Sequence, residues 1–218
     1  MSPPCQGEAA GLREVEEAEE CNKMKLKINK KTDNRIEFNL EGIDSCMANA
    51  LRRIIISEIP IMAVEEVTFY DNSSVIHDEL LAHRMGLVPL KTDPAGPDSI
   101  KISLDVKGPK TVYAGDLKLA QIKAKGADKK TDDIVVYDKM LLVKLTENQK
   151  IKLEATAKLG KGKEHMKWQG ALASYEQVDD EKFVFFVESY GQMKIEDLIK
   201  KSLNIFKEKI EGFKSGIK

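Results

Sequence analysis

The sequence has little of what usually marks a catalyst or a membrane protein. Its 218 residues include three cysteines, three histidines and one tryptophan. Cys5, Cys21 and Cys46 form no C-x-x-C pair and no even disulfide framework, so free thiols in a reducing compartment are expected. No apolar run approaches the roughly 20 residues that a membrane-spanning helix needs. The first residues are acidic and lack a basic-then-apolar leader, so a cytoplasmic protein is expected. An excess of positive charge is also missing. Charged residues make up 33% of the chain, yet the formal net charge is -1, which argues against autonomous nucleic-acid binding.

Motifs of site chemistry are equally scarce. His77 and His83 stand six residues apart, about 240° around a helix, and cannot share an ion. No H-E-x-x-H motif or cysteine accompanies them. The run Leu159-Gly160-Lys161-Gly162-Lys163 is glycine-rich, but Glu164 follows it where a phosphate-binding loop needs a hydroxyl residue. There is no acid–base pair, nucleophile triad or metal cluster to support an enzyme on this scaffold. Trp168, flanked by charges, suits a packing anchor or an interface residue better than a platform for bases.

What is present is patterning. Residues 1–22 carry six acidic groups and one arginine, whereas the remainder holds 34 basic against 30 acidic residues. With two prolines, two glycines and few apolar side chains, this segment is expected to be a disordered tail, either solubilising or partner-binding. Met24, Leu26 and Ile28 alternate with polar residues, and Ile36, Phe38 and Leu40 do so again after a polar link, which predicts a hairpin with one packed face. A helix follows, capped by Asp44 or Ser45, with Met47, Ala50, Leu51, Ile54 and Ile55 at helical spacing and Pro60 beyond its end. Arg52 and Arg53 lie about 100° apart on it, so both cannot face one core. Either they are solvated, or they meet carboxylates of a larger partner, a role that suits the planar guanidinium fork.

Further on, Val67 and Phe69 alternate with Glu66, Thr68 and Tyr70, and a short helix over 76–85 should turn Leu80, Leu81 and Met85 inward. Residues 91–150 read as strands joined by exposed loops, with Lys123 to Asp133 a polar loop; strands are expected at Ile100–Val106, Ile134–Val136 and Met140–Leu145, and one more begins at Ile151. A strand at Phe183–Val187 precedes a helix from about Met193 to the end. There Ile199, Leu203, Phe206, Ile210, Phe213 and Ile217 recur at spacings of 4, 3, 4, 3, 4, a heptad seam with Lys200, Lys201, Lys207 and Lys214 opposite. Such a seam packs either on a partner helix or on the chain's own core.

Four ordered blocks resemble the alpha-type assembly subunits of cellular RNA polymerases, most closely the archaeal members of that family. They are Phe38 to Arg53 with Asn49-Ala50-Leu51-Arg52-Arg53, Val64 to Leu90, Gly162 to Trp168, and Phe183 to Ser189. The resemblance covers residues 23–218. It implies an α+β fold with a discontinuous dimerisation domain, 23–61 and 170–218, around an inserted, mostly β domain, 62–169. It implies a non-catalytic role in building the polymerase: a heterodimer with the small subunit L through paired helices and a shared sheet, then a platform for the second-largest subunit and for small subunits N and P, with no direct sequence-specific nucleic-acid contact. The dimer interface would hold Met47, Leu51 and the seam residues. The large-subunit interface would hold Asn49, Arg52, Arg53, His83, Arg84, Lys167 and Trp168. Relatives often carry a ferredoxin-like iron–sulfur insertion or a zinc loop. Here Tyr175-Glu176-Gln177 passes almost directly to Asp179-Asp180-Glu181, and Lys91 to Ser99 has no cysteine, so no cofactor is expected. Met166 and Gly170 stand where the family tends to have Ala and Pro. The rival reading is a stand-alone homodimeric interaction module that uses the same seam on itself.

Overall fold

The computed structural model describes residues 24–120 and 134–217. The acidic segment 1–22, with Cys5 and Cys21, and the polar loop 123–133 lie outside the described residues. In chain order the elements are β1 (Lys25–Lys31), β2 (Arg35–Glu41), α1 (Ser45–Ser57), β3 (Pro60–Asn72), α2 (Asp78–Gly86), β4 (Ser99–Lys107), β5 (Lys110–Tyr113), β6 (Lys118–Leu119), β7 (Leu141–Leu145), β8 (Lys150–Lys161), β9 (Ala171–Asp179), β10 (Lys182–Ser189) and α3 (Ile195–Gly216). The fold is α+β.

Two apolar cores are built on two antiparallel sheets. One sheet has the order β1-β2-β10-β9, the other β3-β8-β4-β6, and β5 pairs with β7 beside the second. In the first core, Phe38 and Phe185 stack with ring centroids 5.2 Å apart, and Tyr175 meets Phe183 edge-on at 5.5 Å. Phe183 and Phe185 are fully buried, a gain of roughly 1.5–3 kcal/mol each relative to exposure. Ala48, Leu51 and Ile55 of α1 and Ile195 and Leu198 of α3 cover these rings. Asp44 caps α1, its carboxylate accepting from the Met47 amide at 2.7 Å.

β3 passes from one core to the other. Ile61 packs in the first and Met62 and Val64 in the second, which explains a run of four buried residues where alternation would be expected. The second core gathers Ile102 and Leu104 of β4, Leu142, Val143 and Leu145 of β7, and Ile151 and Leu153 of β8. The chain returns to the first core at Ala171.

The structure corrects several expectations. Leu80 faces outward, more than half exposed, while Leu81 and Met85 are fully buried. Leu81 and Met85 lie about 40° apart around the helix, whereas Leu80 lies about 140° from Met85, too far for a short helix on a sheet to turn all three inward. Neither side of β1 packs within this chain: Met24, Leu26 and Ile28 are each at least half exposed, because the helices lie over β2, β10 and β9 and leave the edge strand uncovered. Residues 134–136 make only a single bridge, Val135 to Leu90. Gly160 and Lys161 belong to β8 rather than to a loop.

Candidate assembly surfaces

α3 carries two apolar lines at once. Ile195, Leu198 and Ser202 are buried and Ile205 is partly so, and this line packs on the first core. The buried Ser202 hydroxyl is satisfied by donating to the Ile199 carbonyl at 2.7 Å. The seam lies on the adjacent side of the helix. Ile199 and Phe206 are half-buried, but Leu203 and Ile210 are exposed and Phe213 and Ile217 are 72% and 70% exposed. At about 100° per residue, the two lines lie roughly 80° apart around the helix, so one faces the sheet while the other lies at its side, partly open. The seam is therefore neither wholly a core stripe nor wholly free.

The loop that launches α3 is fixed by its own hydrogen bonds. Gly191 adopts φ +87°, a conformation that disfavours side chains. The Ser189 hydroxyl donates to the Met193 carbonyl at 2.7 Å and accepts from the Gly191 amide at 3.1 Å. An ion pair between Lys31 and Glu196 ties the first turn of α3 to the end of β1. On β1, Leu26 pairs with Leu40 and Ile28 with Phe38. The exposed leucine and isoleucine therefore share the helix-bearing side of the sheet with buried partners. Of the other expected dimer contacts, Met47 is half-buried and Leu51 packs inside the chain's own core.

The second set of expected interface residues is divided. On α1, Arg52 is half-buried and donates to the Asn49 side-chain oxygen at 2.9 Å, whereas Arg53 is exposed. His83 and Lys167 meet at a groove of about 220 Å³ between α2, β3 and the turn at 165–168, lined also by Val64, Val67 and Leu87. Lys167 pairs with Glu65 and lies over the Trp168 ring, 4.4 Å from its centroid. His165 accepts from the Lys167 amide at 3.1 Å. Arg84 donates to the Leu142 carbonyl at 2.8 Å and so bridges α2 to β7. Trp168 is buried; its indole donates to the Lys158 carbonyl at 3.1 Å. Arg84, although exposed, and the buried Trp168 are thus each tied to a backbone carbonyl of the chain itself.

One cluster has no counterpart in the reading of the sequence. Glu58 ends α1, and Lys209, Lys161 and Lys163 surround its carboxylate at 3.1, 3.7 and 3.9 Å. Burial pushes this carboxyl up, but the hydrogen bond from Lys209 and the charges of all three lysines outweigh it and hold the group below the ordinary glutamate value. The available signal was a glutamate at a helix C-terminus, which is unfavourable without nearby cations. Among the described residues, no group of three or more His, Cys, Asp or Glu side chains is placed to hold a metal ion, and no helix is long and apolar enough to cross a membrane.

Comparison with known proteins decides the family. Residues 37–210 match the RNA polymerase Rpb3/Rpb11 dimerisation domain. The chain belongs to this family. Relatives include the DNA-directed RNA polymerase subunit Rpo3 of Methanocaldococcus jannaschii, 41% identical over 167 residues, or 76% of this chain and 82% of that one. Rpo3 of Pyrococcus horikoshii is 43% identical over 161 residues, which cover 70% of this chain but only 59% of that protein. Rpo3 of Pyrobaculum islandicum is 32% identical over 253 aligned residues, 87% of this chain and 93% of that one. The resemblance drawn from the Asn49–Arg53 helix and the 64–90 segment is thus borne out. The family's dimerisation domain encompasses both α1 and most of α3.

Proposed function

We propose that the chain is a non-catalytic assembly subunit of an archaeal-type DNA-directed RNA polymerase. It dimerises with the small subunit L through the uncovered line of α3 and the apolar side of β1. The first core, residues 23–61 and 170–218, acts as the dimerisation half, and residues 62–169 as the inserted half. The dimer then offers Arg53, Arg52 and the groove at His83 and Lys167 to the second-largest subunit, with N and P joining the same platform. No metal or cofactor takes part.

The observation that carries this reading is the exposure of Leu203, Ile210, Phe213 and Ile217 along one side of α3, in a chain whose family is defined by dimerisation. A contiguous apolar stripe of this kind marks an interaction surface. Co-expression with subunit L, followed by light scattering, tests it. A soluble 1:1 complex is expected. A chain that forms a stable homodimer and does not exchange with L would favour a self-contained interaction module instead.

A further inference from the structure

Glu58 stands where the helix end is electronegative and a carboxylate needs cations. Here it has more than it needs. The Glu58 side chain is nearly enclosed, at 15% exposure, whereas those of Lys161, Lys163 and Lys209 are 43%, 53% and 51% exposed. Only Lys209 lies within hydrogen-bond distance. Lys161 and Lys163 approach no other carboxylate within ion-pair distance among the described residues. Each ammonium has three donors, so two positive charges with free donors remain open to solvent.

The position of the cluster gives it meaning. Lys209 is four residues before Phe213 and therefore on the same side of α3, one turn earlier. Ile210 is its neighbour in sequence. Beyond Lys209 the helix stands clear of the rest of the chain: a side chain at Gly212 or Gly216 would meet nothing within 4 Å. The basic cluster thus borders the uncovered apolar line at the point where α3 leaves the body.

We propose that Lys161, Lys163 and Lys209 form a receptor for carboxylates of the dimer partner, taken up as the partner covers Ile210 and Phe213. This rests on the dimer reading above. Charge complementarity selects the occupant. A neutral or basic border on the partner would desolvate two ammonium groups without compensation, which is unfavourable. An acidic border converts them into interfacial ion pairs. A nucleic-acid backbone is the weaker occupant, because Glu164, Glu208 and Glu211 are sequence neighbours of the lysines and the chain as a whole has a formal net charge of -1.

The test is the affinity of the co-purified pair, with subunit L as the probe, measured by dilution at low and high salt. Lys161→Gln/Lys163→Gln should weaken binding about tenfold at low salt and flatten its salt dependence. Lys161→Arg/Lys163→Arg should keep both. Unchanged affinity and salt dependence in the glutamine variant would overturn the proposal. Phe213→Asp, run in parallel, separates the two readings. If it abolishes the pair while the glutamine variant binds normally, only the lysine receptor falls. If neither variant weakens the pair, the dimer reading falls with it. A short DNA duplex bound by the wild type and released by the glutamine variant, with L binding intact, would assign the cluster to nucleic acid and overturn the proposal.

Discussion

The Trp168 indole lies flat against Gly160, so closely that a Cβ on that glycine would overlap the ring. The bare backbone of β8 provides the seat, and the Lys158 carbonyl two residues earlier accepts a hydrogen bond from the indole N–H. The same contact seals the point where the chain returns toward the first core.

A side chain at residue 160 must therefore displace the ring. Gly160→Ala should lower stability by about 1–3 kcal/mol, the usual range for overpacking. Trp168 is the only tryptophan, so a red shift in its emission, together with a lower melting temperature, reads the displacement directly. An unchanged melt would mean that the ring has another seat.

On α2, two adjacent leucines should behave in opposite ways. Leu81→Ala empties a fully buried site and should destabilise by about 2–5 kcal/mol. Leu80→Ala, on the outer face, should fall within about 0.5 kcal/mol of the wild type. Urea denaturation of the two variants would check this. Equal losses would place Leu80 in the core after all.

The exposed line of α3 should make the lone chain self-associate. Phe213→Asp should suppress that association and abolish the pair with subunit L, since a carboxylate would be buried there unpaired. Lys207→Asp should do neither. Phe213 is the cleaner probe than Phe206, which is half-buried within the chain itself. Size-exclusion chromatography with light scattering on the variants, alone and co-expressed, decides the matter.

Charge reversal on α1 separates the two proposed interfaces. Arg53→Glu should leave the pair with L intact and block recruitment of the second-largest subunit, because like charges across an interface cost several kcal/mol. Arg52→Glu would also break the bond to Asn49, so Arg53 gives the sharper result. Reconstitution from purified subunits, followed by gel filtration, would show whether the large subunit is retained.

Glu58 sets an acid limit on the docking of α3. Its folded pKa is held below the usual value, so its contribution to stability is present above the unfolded value of about 4.3 and is lost as pH falls through the folded pKa. Glu58→Gln should lower the melting temperature at neutral pH, and the gap to the wild type should close in acid. A gap that stays constant from neutral pH to acid would remove the lysine cluster from the stability of the fold.

Local pattern carried much of this fold. The β1–β2 hairpin, the α1 cap at Asp44, the alternation of β4 and the extent of α3 follow from periodicity and turn chemistry, which depend on near neighbours. β9 and the short β5 and β6 escaped, and so did the far end of β8, although its start near Ile151 is expected. β9 lacks a clean alternation, since Glu176 and Gln177 adjoin in its outer half. β8 begins one residue before Ile151 and runs on through Gly160, which reads as loop because its packing partner, Trp168, is eight residues away. The site residues were harder still. For Trp168 the sequence leaves a packing anchor and an interface residue both open, and neither its partner nor that of Arg84, carbonyls on β8 and β7, is marked by local spacing.

The sequence by itself determined that α3 has an apolar seam, that α1 carries paired arginines on a capped helix, and that the four motif blocks belong to one family. Each of these is set by spacing along the chain. Only the tertiary structure decided which line of α3 faces the sheet and which stays open, that the apolar side of β1 is uncovered, and that Lys161, Lys163 and Lys209 converge on Glu58. Those outcomes depend on where the helices cross the sheet. The lysines and Glu58 are about 100 to 150 positions apart, a separation that no local pattern encodes.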